Sequence, residues 1–150
     1  MVVHHVLVPL DFSTYAEQAL DYAITLGQQL RARVTLLHVI QPLLVAGADM
    51  SAWPSPAFQD LEAAVTRDLE GYLARVTTAG LEGEMVVVYG VPFQEIIDTA
   101  KARQVDLIIM GTHGRTGLPL VLLGSVAERV VRLAPCPVLV ARQPASVAVS

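Results

Sequence analysis

Short apolar runs alternate with stretches of helical period along the whole chain, and this alternation restricts the fold more than any other feature. Val3 to Pro9, Val34 to Ile40, Met85 to Tyr89, Val105 to Met110 and Pro137 to Ala141 have strand length and are rich in β-branched residues. Between them, Ala16, Leu20, Ala23, Ile24 and Gly27 recur at helical spacing over 13–30, and Phe58, Leu61, Val65, Leu69, Tyr72 and Val76 do so from Ala57 to a stop near Gly80. A third helix follows Pro92 with Ile96, Ile97 and Ala100 facing inward, and a fourth covers Ser125 to Leu133. Thr14 with Glu17 reads as a capping box for the first helix, with Ser13 as the alternative cap, so Asp11 falls on the strand-to-helix turn. Parallel neighbours need crossovers, and right-handed crossovers place helices on both faces of a sheet. The expectation is one α/β domain over residues 1–150, a single doubly wound five-stranded parallel sheet with four helices. Residues 41–56, with three prolines and Gly47, read as a long variable loop, and 143–150 as a tail.

Composition agrees: hydrophobic residues make up 53% and charged residues 16%, which suits strands covered on both faces. The longest apolar runs, such as Leu118 to Leu123 and Leu107 to Met110, fall far short of the ~20 residues that span a bilayer. The first residues lack a basic region and reach Pro9 and Asp11 before an export-signal core could form. Cys136 is the single cysteine, which excludes a disulfide framework and a cysteine-based zinc site; the expected compartment is the cytoplasm. A net charge of -4 without a Lys/Arg run leaves no footprint for nucleic acid. His4, His5 and His38 share no metal-ligand spacing with acidic residues, so no metal ligand is assigned.

In open parallel sheets, ligands bind beyond the carboxyl ends of the strands where the strand order reverses. The loop after the first strand, Pro9-Leu10-Asp11-Phe12-Ser13, has no glycine, which disfavours a dinucleotide site of Gly-x-Gly-x-x-Gly type. Glycines follow the fourth strand instead, in Met110-Gly111-Thr112-His113-Gly114-Arg115-Thr116-Gly117, and Gly124-Ser125 opens the last helix. Such a loop admits an anion to backbone N–H groups and to the positive end of a helix. From the glycines alone, tight loop geometry is the alternative. No Gly-Lys-Ser/Thr is present, so Arg115 or a divalent cation would have to offset phosphate charge.

Gly111, two residues, Gly114, nine residues and then Gly124-Ser125 form a spacing that resembles the ATP-binding branch of the universal stress protein family. Val6-Leu7-Val8-Pro9-Leu10-Asp11-Phe12-Ser13, His38-Val39, Ile108-Ile109-Met110-Gly111-Thr112-His113-Gly114 and Cys136-Pro137-Val138-Leu139-Val140 extend the resemblance, in order, across nearly the whole chain. It implies an adenine-nucleotide α-hydrolase-like fold with strand order 3-2-1-4-5. It further implies that Asp11 and the main chain of Val39 hold the adenine and ribose end, with Pro9 also among the binding residues. Met110, Gly111, His113, Gly114, Arg115, Gly124, Ser125 and Val126 then line the ribose and phosphate path. The implied ligand is ATP, with AMP and ADP as alternatives and Mg or Mn held through the phosphates. The implied assembly is a homodimer through Val138, Leu139 and Val140, since an uncovered apolar edge invites pairing. The implied role is a stress-response module that regulates another protein, with no catalytic residue; the alternative is a slow ATPase or phosphate-transfer enzyme in which Asp11 or His113 places a water or metal ion.

Cys136, between two prolines, reads as a small core residue. Trp53 reads as packing locally in its loop or covering a ligand, and Leu118 to Leu123 as a lid, a dimer contact or a partner surface. His113 reads either as a phosphate donor or as a solvated loop residue.

Overall fold

A computed structural model of the chain describes residues 1–41, 56–113 and 123–142. Strands β1 (His5–Pro9), β2 (Arg33–Ile40), β3 (Gly83–Tyr89), β4 (Leu107–Gly111) and β5 (Val138–Ala141) alternate with helices α1 (Thr14–Leu30), α2 (Pro56–Thr78), α3 (Pro92–Ala102) and α4 (Ser125–Leu133). The sheet is parallel throughout, in the order β3-β2-β1-β4-β5. Both the fold class and the strand order match the sequence reading.

Period-two alternation sends each strand's side chains to two separate cores. Val6, Val8, Val34, Leu36 and Ile109 face α1 and α2, where they meet Ala19, Leu20, Ala23, Val65 and Leu69. Leu7, Leu37, Ile108 and Met110 face the other way, against Ile96 and Ala100 of α3 and Ala127 and Val130 of α4. The central strands therefore carry apolar residues in succession, which is why they read as unbroken hydrophobic runs. Cys136 is half-buried against the second core, and burial raises its thiol pKa. No helix among the described residues is long and apolar enough to cross a membrane.

The structure corrects the reading of the first helix cap. Ser13, extended at φ -78 and ψ 163, is the cap, and its Oγ accepts from the Ala16 N–H. Thr14 is already helical, so no Thr14–Glu17 box forms, and Glu17 instead accepts from the Tyr72 hydroxyl at 2.9 Å. Strand starts shift as well. β1 begins at His5 and β4 at Leu107, although Val3 and Val105 still lie in the cores.

The end of β4 lies directly on the first turn of α1. A Cβ on Gly111 would sit 2.8 Å from the carbonyl carbon, the oxygen and the Cβ of Tyr15. Two of these are backbone atoms, so no rotamer change relieves the clash. Gly111→Ala is expected to lower stability by about 1–3 kcal/mol, read as an earlier urea midpoint; an unchanged midpoint would mean that α1 does not rest on β4 as described.

At the opposite, amino end of the sheet, a polar seam joins three strands to the turn between α3 and β4. His5 is buried, with Nε2 2.7 Å from the Thr35 hydroxyl, which itself donates to Glu84 at 2.8 Å. Because Thr35 spends its hydrogen on Glu84, Nε2–H is the donor to Thr35, while Nδ1 stands 3.2 Å from the Arg103 carbonyl and 3.3 Å from the Arg33 guanidinium, two contacts that ask opposite roles of it. Arg103, at the end of α3, pairs with Glu84, and Asp106 accepts the His4 and His5 amides. Burial lowers the His5 pKa from 6.5 and the Arg33 charge adds to this, against the opposing Arg103 carbonyl, Glu84 and Asp106. The neutral imidazole therefore contributes stability that is complete above about pH 6.5 and is lost as pH falls through the depressed folded value. Hydrogen bonding to Thr35 lowers the Glu84 pKa, and its own loss comes only below the carboxylate's ordinary 4.5. Between about pH 7 and 5, thermal stability should fall more steeply in the native chain than in His5→Gln; parallel pH profiles would remove His5 as the cause.

Candidate functional site

The cleft opens where β1 and β4 part. β1 pairs with β2 along its whole length, from His5↔Arg33 to Pro9↔Leu37, but its register with β4 stops at Leu7↔Ile108. Successive residues of a strand point their backbone groups to opposite neighbours. The carbonyl of His4 and the N–H of Leu10 bond to β2, whereas the His5 carbonyl bonds to Asp106 before β4. Odd-numbered positions of β1 thus face β4, and at the next one Pro9 has no N–H to give. Beyond it lies an open cleft of about 450 Å³, within the size range of small-ligand sites.

Pro9 and Asp11 line the cleft on the β1 side, with Val39 and Gln41 from β2 and its end. The turn that carries Asp11 is held from several directions. Asp11 Oδ1 accepts from the Ser13 amide at 3.0 Å and from the Ser13 hydroxyl at 2.5 Å. Phe12 takes φ 64, a left-handed conformation unusual for a bulky residue. Its ring lies between His38, at 4.6 Å, and Tyr72, at 5.9 Å, which holds that conformation in place. His38 Nδ1 donates to the Leu10 carbonyl at 2.6 Å. Asp11 therefore braces its own turn and lines the cleft.

Met110, Gly111 and His113 line the cleft from β4, and Gly124, Ser125 and Val126 from the start of α4. Gly124 N–H donates to the Thr112 carbonyl at 2.8 Å, bringing the two ends of the intervening segment together. That bond also occupies the Gly124 donor. The donors left at the start of α4 are the amides of Ser125, Val126 and Ala127, since no side chain caps the helix. His113 is buried, which overturns the solvated reading. Its ring centroid stands 5.3 Å from that of Tyr15, and Nδ1 is 3.1 Å from the Thr112 hydroxyl. Its Nε2 is buried and has no hydrogen-bond partner among the described residues. Gly114, Arg115, Trp53 and Leu118 to Leu122 lie outside the described residues; Leu123 is described and exposed.

Sequence reasoning missed the third wall. Val91, Pro92, Phe93 and Ile96 come from the first turns of α3, and Arg129 from α4. The Arg129 guanidinium carbon lies 4.8 Å from the centre of the Phe93 ring. One local signal was available: Arg129 is four residues after Ser125 and so shares its helix face. Nothing in the sequence connects it to Phe93.

The arrangement has two chemically distinct ends. A carboxylate beside an apolar wall of Leu37, Val39 and Ile96 suits a hydroxyl-bearing, partly apolar group. Uncapped amides at a helix start, with an arginine one turn on, suit an anion.

Known proteins share this architecture. The universal stress protein MJ0531 of Methanocaldococcus jannaschii is 34% identical over 146 residues, covering 93% of this chain and 82% of that protein. Universal stress protein YxiE of Bacillus subtilis is 31% identical over 143 residues, covering 91% and 97%. The solved structure of MJ0577, a universal stress protein from Methanocaldococcus jannaschii, superposes with a TM-score of 0.87 at 32% identity, covering 97% of this chain and all of that one. That of UspA from Lactobacillus plantarum gives 0.77 at 31% identity, covering 95% of this chain and 99% of that one. The sequence profile of the universal stress protein family matches residues 3–142, and the chain belongs to that family.

Proposed function

We propose that the protein is a nucleotide-responsive regulatory module whose cleft holds ATP, or its shorter forms ADP and AMP, between β1 and β4. The observation that carries this reading is the first turn of α4, uncapped by any described side chain and opening on the cleft, together with His113, whose buried Nε2 lacks a partner among the described residues. A buried polar atom left unpaired is costly, and a ligand's phosphate would relieve it. In this reading Asp11 and the Val39 main chain take the ribose and adenine, and Ser125 and Val126 take phosphate through their amides. Gly111 contributes by letting β4 approach α1, and Gly124 by closing the segment that begins at His113. Gly114 and Arg115 belong to the phosphate path by their place in the motif.

Mg or Mn would be held through the phosphates; no group of three His, Cys, Asp or Glu side chains gathers among the described residues. On the same fold, universal stress proteins have been solved with cAMP and with dAMP, at 22% and 23% identity. Those two relatives have the fold in common with this chain, and the reading here rests on its own cleft. Occupancy of the site, rather than turnover, is the signal we assign, read in the cytoplasm by a regulated protein under stress.

Calorimetry with ATP and magnesium should show saturable binding, and mass spectrometry should find adenine nucleotide copurifying; the absence of both would sink the reading. His113→Phe keeps a ring beside Tyr15 but removes Nε2, and should weaken ATP binding about tenfold with no loss of stability.

Among the described residues strand β5 has a neighbour on one side only, and Val138, Leu139 and Val140 remain half-buried at that edge. We assign them the contact of a homodimer. Sedimentation equilibrium should return twice the chain's mass at micromolar concentration; a single-chain mass would overturn the assignment.

A further inference from the structure

Phosphate in the cleft needs a countercharge, and the lysine that a P-loop supplies has no equivalent here. We propose that Arg129 is that countercharge: a binding residue for the phosphate end of the ligand, held ready by Phe93. The inference rests on the nucleotide reading above and adds a residue outside the glycine motif.

Among the described residues lining the cleft, Arg129 is the only arginine or lysine. It lies one turn beyond Ser125 on the same face of α4, and helical side chains lean toward the helix start, here toward the uncapped amides. Three arginines are neutralised by carboxylates: Arg75 pairs with Asp21, Arg103 with Glu84 and Arg132 with Glu128. Arg129 shares with Arg31, Arg33, Arg67 and Arg142 the lack of such a pair among the described residues, and of these it alone lines the cleft. Glu128, its sequence neighbour, is held by Arg132 at 2.6 Å. Arg129 instead rests over the Phe93 ring at 4.8 Å. A guanidinium stacked on a ring keeps its in-plane N–H donors, so the contact limits its motion without occupying its hydrogen bonds. An oriented, unneutralised fork beside a helix start matches a phosphate and has no use for a neutral nucleoside.

The test compares ATP with adenosine by calorimetry at low and physiological salt, in the native protein, Arg129→Gln and Phe93→Leu, with thermal unfolding measured on each. Arg129→Gln should weaken ATP about tenfold or more, leave adenosine within about twofold and reduce the salt dependence of ATP binding. Phe93→Leu should give a smaller loss of the same kind, and Arg129→Gln should leave the melting temperature unchanged. Equal losses for ATP and adenosine, or no loss for either, would overturn the role of Arg129 while the nucleotide reading stands. A native protein that binds neither ligand would overturn both.

Discussion

The site depends on a hydrogen bond that cannot form. Pro9 stands at the position of β1 whose N–H would continue the ladder to β4, and the pairing ends short of it, at Leu7↔Ile108. On the other side β1 remains paired with β2 through Pro9, and Leu10 extends that side with a bond to Leu37. The two central strands of a parallel sheet therefore separate at their carboxyl ends without loss of the core beneath. Val6, Leu7, Val8, Ile108 and Ile109 are fully buried just below the split, so the cleft has a floor of packed side chains. Reversal of strand order selects the place where a crevice can exist, and Pro9 opens it.

Once the strands part, each wall needs its own support. The β1 turn has His38 on Leu10, Phe12 stacked between His38 and Tyr72, and Ser13 on Asp11. The β4 side rests on α1 through Gly111, and α1 also presents Tyr15 to His113. The first turn of α1 thus couples both walls: Ser13 holds Asp11, and two residues on, Tyr15 touches Gly111 and His113. The apparent phosphate-loop glycine at 111 is, in steric terms, a contact between β4 and a helix on the other side of the sheet. Gly124 likewise spends its N–H on Thr112 rather than offering it to the cleft. A glycine motif can place an anion site while its individual glycines serve closure and packing.

What could be read from the sequence follows from how locally each feature is encoded. Period two and period 3.6 are written within each segment, so the five strands, four helices and their alternation were legible without tertiary information. The strand order was not; it came from the resemblance. Asp11, Val39, Gly111, His113 and Ser125 all line the cleft; the glycine loop could be placed there from its position after β4, whereas Val39 and the part given to Asp11 came from the resemblance. The Thr14–Glu17 cap was misread because two adjacent hydroxyl residues offer alternative starts, and the choice is made where Asp11 fixes Ser13. The His5 seam was invisible for a different reason: its members, Thr35, Glu84, Arg103 and Asp106, come from two separate strands, the end of a helix and the turn that follows it. No short window contains any two consecutive links of its chain from β1 through β2 to β3.

The same distinction separates the glycine motif from the third wall of the cleft. In the nucleotide reading proposed above, the motif residues would act largely through backbone groups, which are present whatever the side chain and bind phosphate with little selectivity. Side chains that come from α3 and the far turn of α4 are not bound to the motif, yet they complete the third wall. In this chain that wall carries Phe93 and Arg129, an aromatic face with a cation above it, opposite the Asp11 carboxylate. Charge is thereby separated along the cleft, acid at the β1 end and base beside α4. A ligand with both a hydroxyl donor and an anionic tail is favoured in one orientation, because reversing it would set like charge against Asp11 and leave Arg129 unmatched. In the proposed reading the shared backbone would locate the ligand, and the third wall would set which way it lies.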